Sequence, residues 1–323
     1  MKKISSEPFT PPYPLKTAVL FLIFNRLDTT KQVFEAIRLA RPPRLYIAAD
    51  GPRDSRPGEV EKVKAVRDYV IGHIDWDCEV KTLFREKNLG CKYGVSGGID
   101  WFFENEESGI ILEDDCLPCQ SFFWFCEELL QYYAEDWRVW QICGSDYIGS
   151  TREDNWGASY RFSKYGPIWG WASWRRAWKN YDPDLIDWPL MSKKDFLTSA
   201  YNSKEECKAR LSLGNRLYGG EIDTWDYQWG FVKNYNNGLS IIPSGNIILN
   251  IGFGPDATHT TGSDRYTQKK LIEQTFPLTH PKFLLTNTKL DHQYCQQYVI
   301  LHPLSTRLKV KIKNIIKNII IKK

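Results

Sequence analysis

Three consecutive acidic residues, Glu113, Asp114 and Asp115, directly follow a short apolar run at 110–112. A strand that ends in this way points two or three carboxylates at one place, and grouping like charges costs free energy unless a cation offsets the repulsion. Oxygen ligands at this density suit a hard divalent ion such as Mg²⁺ or Mn²⁺. Because such an ion is most useful where a diphosphate must be held or expelled, the triplet predicts a metal-assisted phosphate site.

The elements that must position this triplet alternate between strand and helix. Residues 17–24 form a continuous apolar run typical of a strand buried on both faces. Further strands are predicted at 45–49, 79–84 and 110–112, and helices at 28–40, around 60–70 and at 94–104. Asp28 is expected to cap the first helix, and Val60, Val63, Val66 and Val70 to form the buried stripe of the second. This alternation predicts an α/β fold with a mostly parallel central sheet and helices on both faces.

Polar side chains follow each predicted strand. They are Asn25 and Arg26, then Asp50, then Arg85 and Asn88, and finally the acidic triplet. Since ligands bind at the carboxyl ends of parallel strands, these residues define one candidate site, where Arg26 could reach the same phosphates as the metal. No glycine-rich loop follows the first strand, which argues against dinucleotide-binding and P-loop proteins.

Composition narrows the function classes further. The chain has 323 residues, 42% of them hydrophobic, and a net charge of +4, which does not favour a nucleic-acid partner. Its eight cysteines lack the spacing of a disulfide scaffold or a zinc site, and no apolar stretch reaches the ~18 residues of a membrane span. The lysine-rich and proline-rich start does not resemble a signal peptide, so a cytoplasmic location is expected. Aromatic residues are frequent at 14%, and they indicate either stacking on sugars or an aromatic core.

The second half of the chain is less regular. Strands are predicted at 139–143 and 239–242, a helix at 169–178 and a loop-rich segment at 182–203. Without an internal repeat or a long linker, the sequence predicts a lead-in at 1–16, one domain at 17–285 and a C-terminal extension at 286–323.

The residues after strands one, two and four together resemble a known family. Phe24-Asn25-Arg26, Ala49-Asp50-Gly51 and the run ILEDDCLP at 111–118 are similar to motifs of the GT-A glycosyltransferases, specifically the family 2-like bacterial enzymes. They also resemble the N-acetylglucosaminyltransferase I group, whose acidic motif likewise reads EDD. The resemblance covers about residues 17–262. It implies a GT-A fold in which a nucleotide sugar lies across the strand ends.

By this resemblance Asp115 would bind the metal, Asp114 the ribose and Glu113 the donor sugar, while Arg26 would face the diphosphate and Asp50 the uracil base. Asn25 and Asn88 would belong to the same nucleotide-sugar site. The implied activity is inverting transfer from a UDP-sugar donor to a glycan or lipid-linked acceptor with Mn²⁺ or Mg²⁺. Two alternatives stay open: a sugar nucleotidyltransferase, and a non-enzymatic carbohydrate-binding protein.

A second acidic group at 221–229 resembles the tryptophan-flanked segment that supplies the catalytic base in this family. Asp226 is the first choice for the base, with Asp223 and Glu221 as alternatives, because two carboxylates three residues apart share one helix face. The competing interpretation makes this a solvated helix start with Asp223 as its N-cap.

The segment 165–171 resembles the family's wall beneath donor sugar and acceptor, which would place Trp169, Gly170 and Trp171 against the ligand. The alternative is an aromatic packing cluster along a buried helix. His259, in a glycine-bearing loop at 250–260, is a less certain metal ligand that the resemblance suggests.

Residues 307–323 have the pattern of a basic amphipathic helix, which predicts peripheral contact with the inner face of the cell membrane or packing on a protein body.

Overall fold

The computed structural model describes residues 9–253 and 270–300, and this part of the chain contains a large central sheet and a two-stranded ribbon. The strands in chain order are β1 (Val19–Ile23), β2 (Arg44–Ala49), β3 (Glu79–Phe84), β4 (Ser108–Glu113), β5 (Cys116–Pro118), β6 (Val139–Cys143), β7 (Tyr160–Ser163), β8 (Trp171–Trp174), β9 (Leu239–Pro243) and β10 (Ile248–Asn250). The central sheet has the order β3-β2-β1-β4-β8-β6-β9-β7, and β5 pairs with β10 in the ribbon.

The helices of the described residues lie between these strands. They are α1 (Leu27–Ala40), α2 (Glu59–Gly72), α3 (Gly90–Asn105), α4 (Ser121–Tyr132), α5 (Arg175–Trp178), α6 (Trp188–Met191), α7 (Lys194–Ala200), α8 (Lys204–Tyr218), α9 (Asp226–Tyr235) and α10 (Thr288–Tyr294). A π-helical turn, Cys295–Val299, follows α10 directly. No helix among the described residues is long and apolar enough to cross a bilayer.

The direction of the strands confirms the predicted fold class. The strands β1 to β4 are parallel. Of the eight strands described in the central sheet, only β8 and β7 run opposite to the rest. Alternate residues of β1 enter two different cores. Phe21 packs with α1, α2 and α4 on one face, while Leu20 packs with α3, α5 and α9 on the other. The sheet is therefore covered by helices on both faces, which explains why every residue of β1 is apolar and buried.

The predicted helix at 169–178 is wrong over its first part. Trp171–Trp174 form strand β8, which is antiparallel to both β4 and β6, and only Arg175–Trp178 are helical. Trp171 and Trp174 enter opposite cores, as neighbouring strand faces require. Their spacing of three also fits a helix, so hydrogen bonds to two distant strands decided between the two structures.

The segment 182–203 is more ordered than the loop-rich prediction. It contains α6 and α7, which pack with α8 around a small apolar cluster separate from the two main cores. Trp188 and Leu197 are buried there, and Phe231 of α9 joins this cluster to the body. Helices of four and seven residues do not form alone, so this packing stabilises them.

Two details of the first helices also differ from expectation. Arg26, not Asp28, is the N-cap residue of α1, and no side chain caps that end, because a guanidinium has no acceptor for the free N–H groups. The Arg26 side chain pairs with the acidic triplet. In α2 the stripe of buried valines starts at Val63, whereas Val60 is 61% exposed.

Candidate functional site

Arg26 joins the ends of strands β1 and β4. Its guanidinium is ion-paired with Asp114 through Nη2 and lies 2.9 Å from Asp115 Oδ2 through Nη1. The backbone N–H of Phe24 donates a further hydrogen bond of 3.3 Å to Asp114 Oδ2. Because β1 and β4 are neighbouring parallel strands, their carboxyl ends bring these groups together as the sequence predicted.

This trio has more negative than positive charge and little solvent. Burial raises the pKa of Asp114 to about 6, although the adjacent Arg26 opposes that shift. Burial lowers the pKa of Arg26, but the two carboxylates outweigh it and hold the guanidinium charged. The cluster therefore keeps a net negative charge at neutral pH, which attracts cations.

A glycine covers the trio from the ribbon side. The N–H of Ile251 donates a 2.8 Å hydrogen bond to the carbonyl of Asp115, and β10 pairs with β5 just beyond. This brings Gly252 so close that a Cβ built there would lie 2.2 Å from Asp115 Oδ2 and 2.8 Å from Arg26 Nη1. Only glycine fits at this position without displacing both charged side chains.

Glu113 faces the opposite side of the sheet from Asp114. Its side chain is buried, and Oε1 has no hydrogen-bond partner among the described residues. Burial raises its pKa well above the usual value, and the charges of Asp115, Asp114 and Asp226 raise it further. The charges of Asp114 and Asp115 and that of Asp226 at the start of α9 therefore all act on Glu113.

The three candidate bases occupy different surroundings. Asp226 begins α9, accepts a hydrogen bond from the Thr224 hydroxyl and adds to the negative field at Glu113. Asp223 instead accepts hydrogen bonds of 2.9 Å from the backbone N–H groups of Cys91 and Lys92.

The carboxylate of Asp223 therefore caps the start of α3, not the start of its own helix, where Trp225 is the N-cap residue. Glu221 is 63% exposed and forms an ion pair of 3.2 Å with Arg216. Of the three, Asp226 acts on Glu113 through its charge, Asp223 caps α3, and Glu221 pairs with Arg216 at the surface.

Cys91 connects the carboxylates of both halves of the site. Burial raises the pKa of its thiol, and the charges of Glu113, Asp226, Asp223 and Asp50 raise it further. Asp50 lies against the same helix, since a Cβ built on Gly94 of α3 would lie 2.8 Å from Asp50 Oδ2. No sequence signal pointed to Cys91, because its position is set by the packing of α3.

The residues after β2 and β3 are joined to one another by hydrogen bonds. Asp50 accepts a 2.9 Å hydrogen bond from the N–H of Leu89, and burial raises its pKa. Asn88 donates to the carbonyl of Gly51 at 2.8 Å, which ties the two strand ends together. Asn25 lies on the other side of Asp50 in the sheet order and donates to Glu59 at 2.9 Å.

Of the two tryptophans predicted to line the ligand, Trp171 is a core residue and Trp169 is half-buried. Trp171 is 1% exposed and stacks on Trp225 at 5.7 Å, so it belongs to the core and the prediction that it lines the ligand is wrong. Gly170 has φ +57°, and a Cβ there would lie 2.4 Å from Ile248 Cδ1. Trp169 is half-buried, and its ring meets that of Phe253 edge-on at 5.7 Å. Trp169 therefore remains the one wall candidate of the pair.

Asp115 and His259 are the predicted ligands of the metal ion. Asp115 offers a hard carboxylate oxygen of the kind a divalent ion takes, and Arg26 engages it in the structure. Within residues 9–253 and 270–300 no group of three or more metal-ligating side chains comes together. His259 and residues 307–323 lie outside the described residues.

Gly252 is the site residue whose role the sequence did not single out. The sequence predicts a glycine-bearing loop at 250–260, but the approach of Gly252 to Asp115 depends on the pairing of β10 with β5. The available signal was the glycine itself, since glycine in an otherwise ordinary loop often marks a close backbone approach.

Comparison with known proteins gives structural similarity only. No protein-family model matches the chain, and no curated protein sequence matches it. One similar solved structure is the mannosyltransferase PcManGT from Pyrobaculum calidifontis in complex with GDP-Man and Mn²⁺, with 11% identity, a TM-score of 0.39 and 72% of each chain covered.

Two further similar structures are TarS 1–349 from S. aureus and HddC from Yersinia pseudotuberculosis. TarS has 8% identity and a TM-score of 0.38, covering 68% of this chain and 81% of its own. HddC has 8% identity and a TM-score of 0.32, covering 51% and 80%. At these values no residue role passes from the neighbours to this chain, and the similarity to the N-acetylglucosaminyltransferase I group stays a prediction.

Proposed function

We propose that this chain is an inverting glycosyltransferase of the GT-A type that transfers a sugar from a UDP-sugar to a glycan or lipid-linked acceptor. The observation that carries the proposal is the trio of Arg26, Asp114 and Asp115 at the ends of β1 and β4, covered by Gly252. A half-buried guanidinium beside two carboxylates suits a diphosphate and a divalent ion better than a neutral ligand.

The remaining residues are assigned by their strand ends. Asp50, with Asn25 and Asn88 at the neighbouring strand ends, is assigned to the nucleoside, which is supported by their closeness at one edge of the sheet. Asp114 is assigned to the ribose and Glu113 to the donor sugar. Mn²⁺ or Mg²⁺ bound at Asp115 would neutralise charge on the leaving diphosphate.

Asp226 is assigned as the general base. In direct transfer the acceptor oxygen forms a bond to the anomeric carbon while the bond from that carbon to the diphosphate oxygen breaks, and the diphosphate leaves with the electron pair. Asp226 takes the proton of the acceptor hydroxyl.

The proposal is tested by titration calorimetry with UDP in the presence and absence of Mn²⁺. We expect Mn²⁺ to tighten UDP binding at least tenfold in the wild type. Asp115→Asn should lose that gain because its amide is a poor ligand for a divalent ion, while Asp28→Asn, an exposed carboxylate nearby, should keep it. Equal, metal-independent binding in wild type and Asp115→Asn would contradict the assignment of Asp115.

The base is tested by slow hydrolysis of nucleotide sugars, which requires no acceptor. UDP-, GDP- and dTDP-sugars are screened with Mn²⁺, and we expect UDP-sugars to be hydrolysed. Asp226→Asn should lower that rate about 10²-fold or more and leave UDP binding unchanged. Asp223→Asn is the matched control, because an asparagine can still cap α3. Loss of hydrolysis in the Asp223 variant alone would move the base to that residue.

A further inference from the structure

We propose that the chain forms a dimer in which strand β3 pairs antiparallel with β3 of a second copy, while the two α2 helices pack on each other across the same two-fold axis. The proposal concerns a lateral edge of the central sheet, not the carboxyl ends of its strands, and it goes beyond the proposed function. Two features carry it: an open strand edge, and a self-complementary order of side chains on the helix beside that edge.

The two lateral edges of the central sheet differ in how they are covered. At the β7 edge all four residues of the strand are buried, Phe162 forms a bridge with Thr286, and the N–H of Asn287 donates to the carbonyl of Phe162 at 3.3 Å. At the opposite edge no segment among the described residues pairs with the outer side of β3, and three of its six residues are exposed. An edge of this kind presents backbone donors and acceptors to another strand.

Strand β3 lacks the usual features that keep an edge strand from pairing. It follows β2 over six residues without a bulge, and it contains no proline. Its one lysine, Lys81, is turned back onto the sheet, where the ammonium donates to the Tyr46 hydroxyl at 3.2 Å and to Asn105 Oδ1 at 3.3 Å. Because this charge is held over the neighbouring strand, it does not block the approach of a new strand.

The hydrogen bonds to β2 determine the register in which β3 can pair with a copy of itself. The N–H of Glu79 donates to the carbonyl of Pro43 at 2.9 Å, and alternate residues of β3 continue this pattern. Val80, Thr82 and Phe84 therefore direct their N–H and C=O groups outward. An antiparallel register centred on Thr82 uses all three, because Thr82 meets its own copy and Val80 meets Phe84 of the second copy.

A groove of about 640 Å³ lies beside this edge, between α2 and Phe84. Val60 and Ile71 line it and are 61% and 43% exposed, although both are large apolar residues. Lys64 and Asp68 lie between them on the helix and line the same groove. Because these four residues of α2 recur at spacings of three and four, they share one face of the helix.

The order of side chains on this face is complementary to itself when the helix is reversed. A two-fold axis sets α2 antiparallel to its copy, so that Val60 faces Ile71 of the second copy and Lys64 faces Asp68 of the second copy. Since each Lys64 also forms an ion pair with Asp68 of its own helix, the four charges alternate in sign. Each contact then occurs twice, as an isologous interface requires, and this match favours a second copy over an unrelated partner.

The spacing of the two helices agrees with the spacing of the strands. Helix α2 connects β2 to β3, and Arg67 donates to the carbonyls of Asp50 and Arg85 at 3.0 and 2.7 Å, just beyond the ends of both strands. The helix therefore lies over these two strands. With strands about 4.8 Å apart, two such helices on either side of a β3–β3 junction lie about 10 Å apart, which is the distance of packed helices. One axis thus satisfies both contacts.

The helix contact is tested by analytical ultracentrifugation of charge variants. We expect the wild type to sediment as a dimer with twice the chain mass of 37.7 kDa. Lys64→Asp should raise the dissociation constant about tenfold or more, because it faces Asp68 of the second copy, and the double variant Lys64→Asp/Asp68→Lys should restore the dimer. Lys62→Asp is the matched control, since Lys62 is exposed on the same helix but does not line the groove.

The strand register is tested by oxidative cross-linking. Opposite residues of a hydrogen-bonded antiparallel pair have Cα atoms about 5.5 Å apart, which suits a disulfide, so Thr82→Cys should give a covalent dimer. Val80→Cys is the control, because Val80 lies opposite Phe84 and its two copies are about 13 Å apart in this register. Wild type oxidised in parallel shows any cross-linking through the native cysteines.

Each outcome decides for or against the proposed dimer. A monomeric wild type overturns it, as does a dimer that tolerates Lys64→Asp or that the double charge variant fails to restore. Cross-linking through Val80→Cys but not through Thr82→Cys overturns the register and with it the proposal. Neither UDP nor a metal ion enters these measurements, so the result is independent of the proposed transferase activity.

Discussion

At the residue scale, a carboxylate buried at the site without a hydrogen-bond partner lowers the free energy of unfolding. Glu113 has a raised pKa because burial and three neighbouring carboxylates disfavour its charged form. Glu59 shows the opposite case, since hydrogen bonds from Arg53 lower its pKa to about 2. Two glutamates close to the same sheet edge therefore affect folding with opposite sign.

Glu113→Gln should stabilise the protein, because at neutral pH the charge of Glu113 is a cost in the folded state. A raised pKa means that stability is greatest below the ordinary glutamate pKa and falls as the pH rises through the folded value. We expect a gain of about 1–3 kcal/mol at pH 8, shrinking toward pH 4, in thermal unfolding.

Glu59→Gln is the matched control with opposite expectation. Its lowered pKa contributes stability above the ordinary glutamate pKa, and that stability is lost as the pH falls from about 4.5 toward 2. The glutamine variant should therefore be less stable than the wild type at pH 8. A Glu113→Gln protein that is also less stable at pH 8 would contradict the idea that this charge is unpaired.

At the scale of elements, the site depends on helices and strands that are held by distant residues. Asp223 caps α3 from a position 132 residues later in the chain, and the β5–β10 ribbon brings Gly252 over Asp115. Two helical glycines differ in how closely their surroundings approach them. A Cβ on Gly214 of α8 would lie 2.0 Å from the ring of Trp188, whereas a Cβ on Gly230 of α9 would meet nothing within 4 Å.

Alanine at these two helical glycines should have opposite effects. Gly214→Ala should destabilise the protein by about 1–3 kcal/mol, because the rigid indole cannot move without opening the small cluster of α6 to α8. Gly230→Ala should stabilise it by up to about 1 kcal/mol through the higher helix propensity of alanine. Urea unfolding of both variants measures the difference. A destabilised Gly230→Ala would show that α9 is packed more tightly at this position than the structure indicates.

At the scale of the whole molecule, two halves of the sheet are joined by one antiparallel strand, β8. The parallel strands β1 to β4 carry the trio of charges, and β8 links β4 to β6 and the second half. The central strands are buried on both faces, while α6 to α8 form a separate cluster attached through Phe231. Different parts of the fold should therefore open with different free energies.

Hydrogen exchange should resolve this hierarchy. Amides of β1, β4 and β6 should exchange last, at rates set by global unfolding, and amides of α6 and α7 should exchange at least 10²-fold faster by local opening. Mass spectrometry of peptides from both regions measures the ratio. Equal protection of α7 and β4 would show that α6 and α7 unfold only with the whole molecule.

The local patterns of the sequence determined the sheet half that carries the charges. The apolar run of β1, the strands β2 to β4 and the helices between them all follow from hydrophobic periodicity, and parallel strands necessarily bring their carboxyl ends to one edge. Arg26 was therefore expected beside Asp115, and the structure places it there. These features depend on residues close in sequence.

Only the tertiary structure decided what the later residues do. Trp171 became a core strand residue, Asp223 a cap for α3, and Tyr294 a neighbour of Tyr147. In each case one residue type was compatible with several roles, and the choice depended on partners far away in the chain. Periodicity reports which side of an element is buried, but not which distant surface buries it, because that contact exists only once the whole chain has folded.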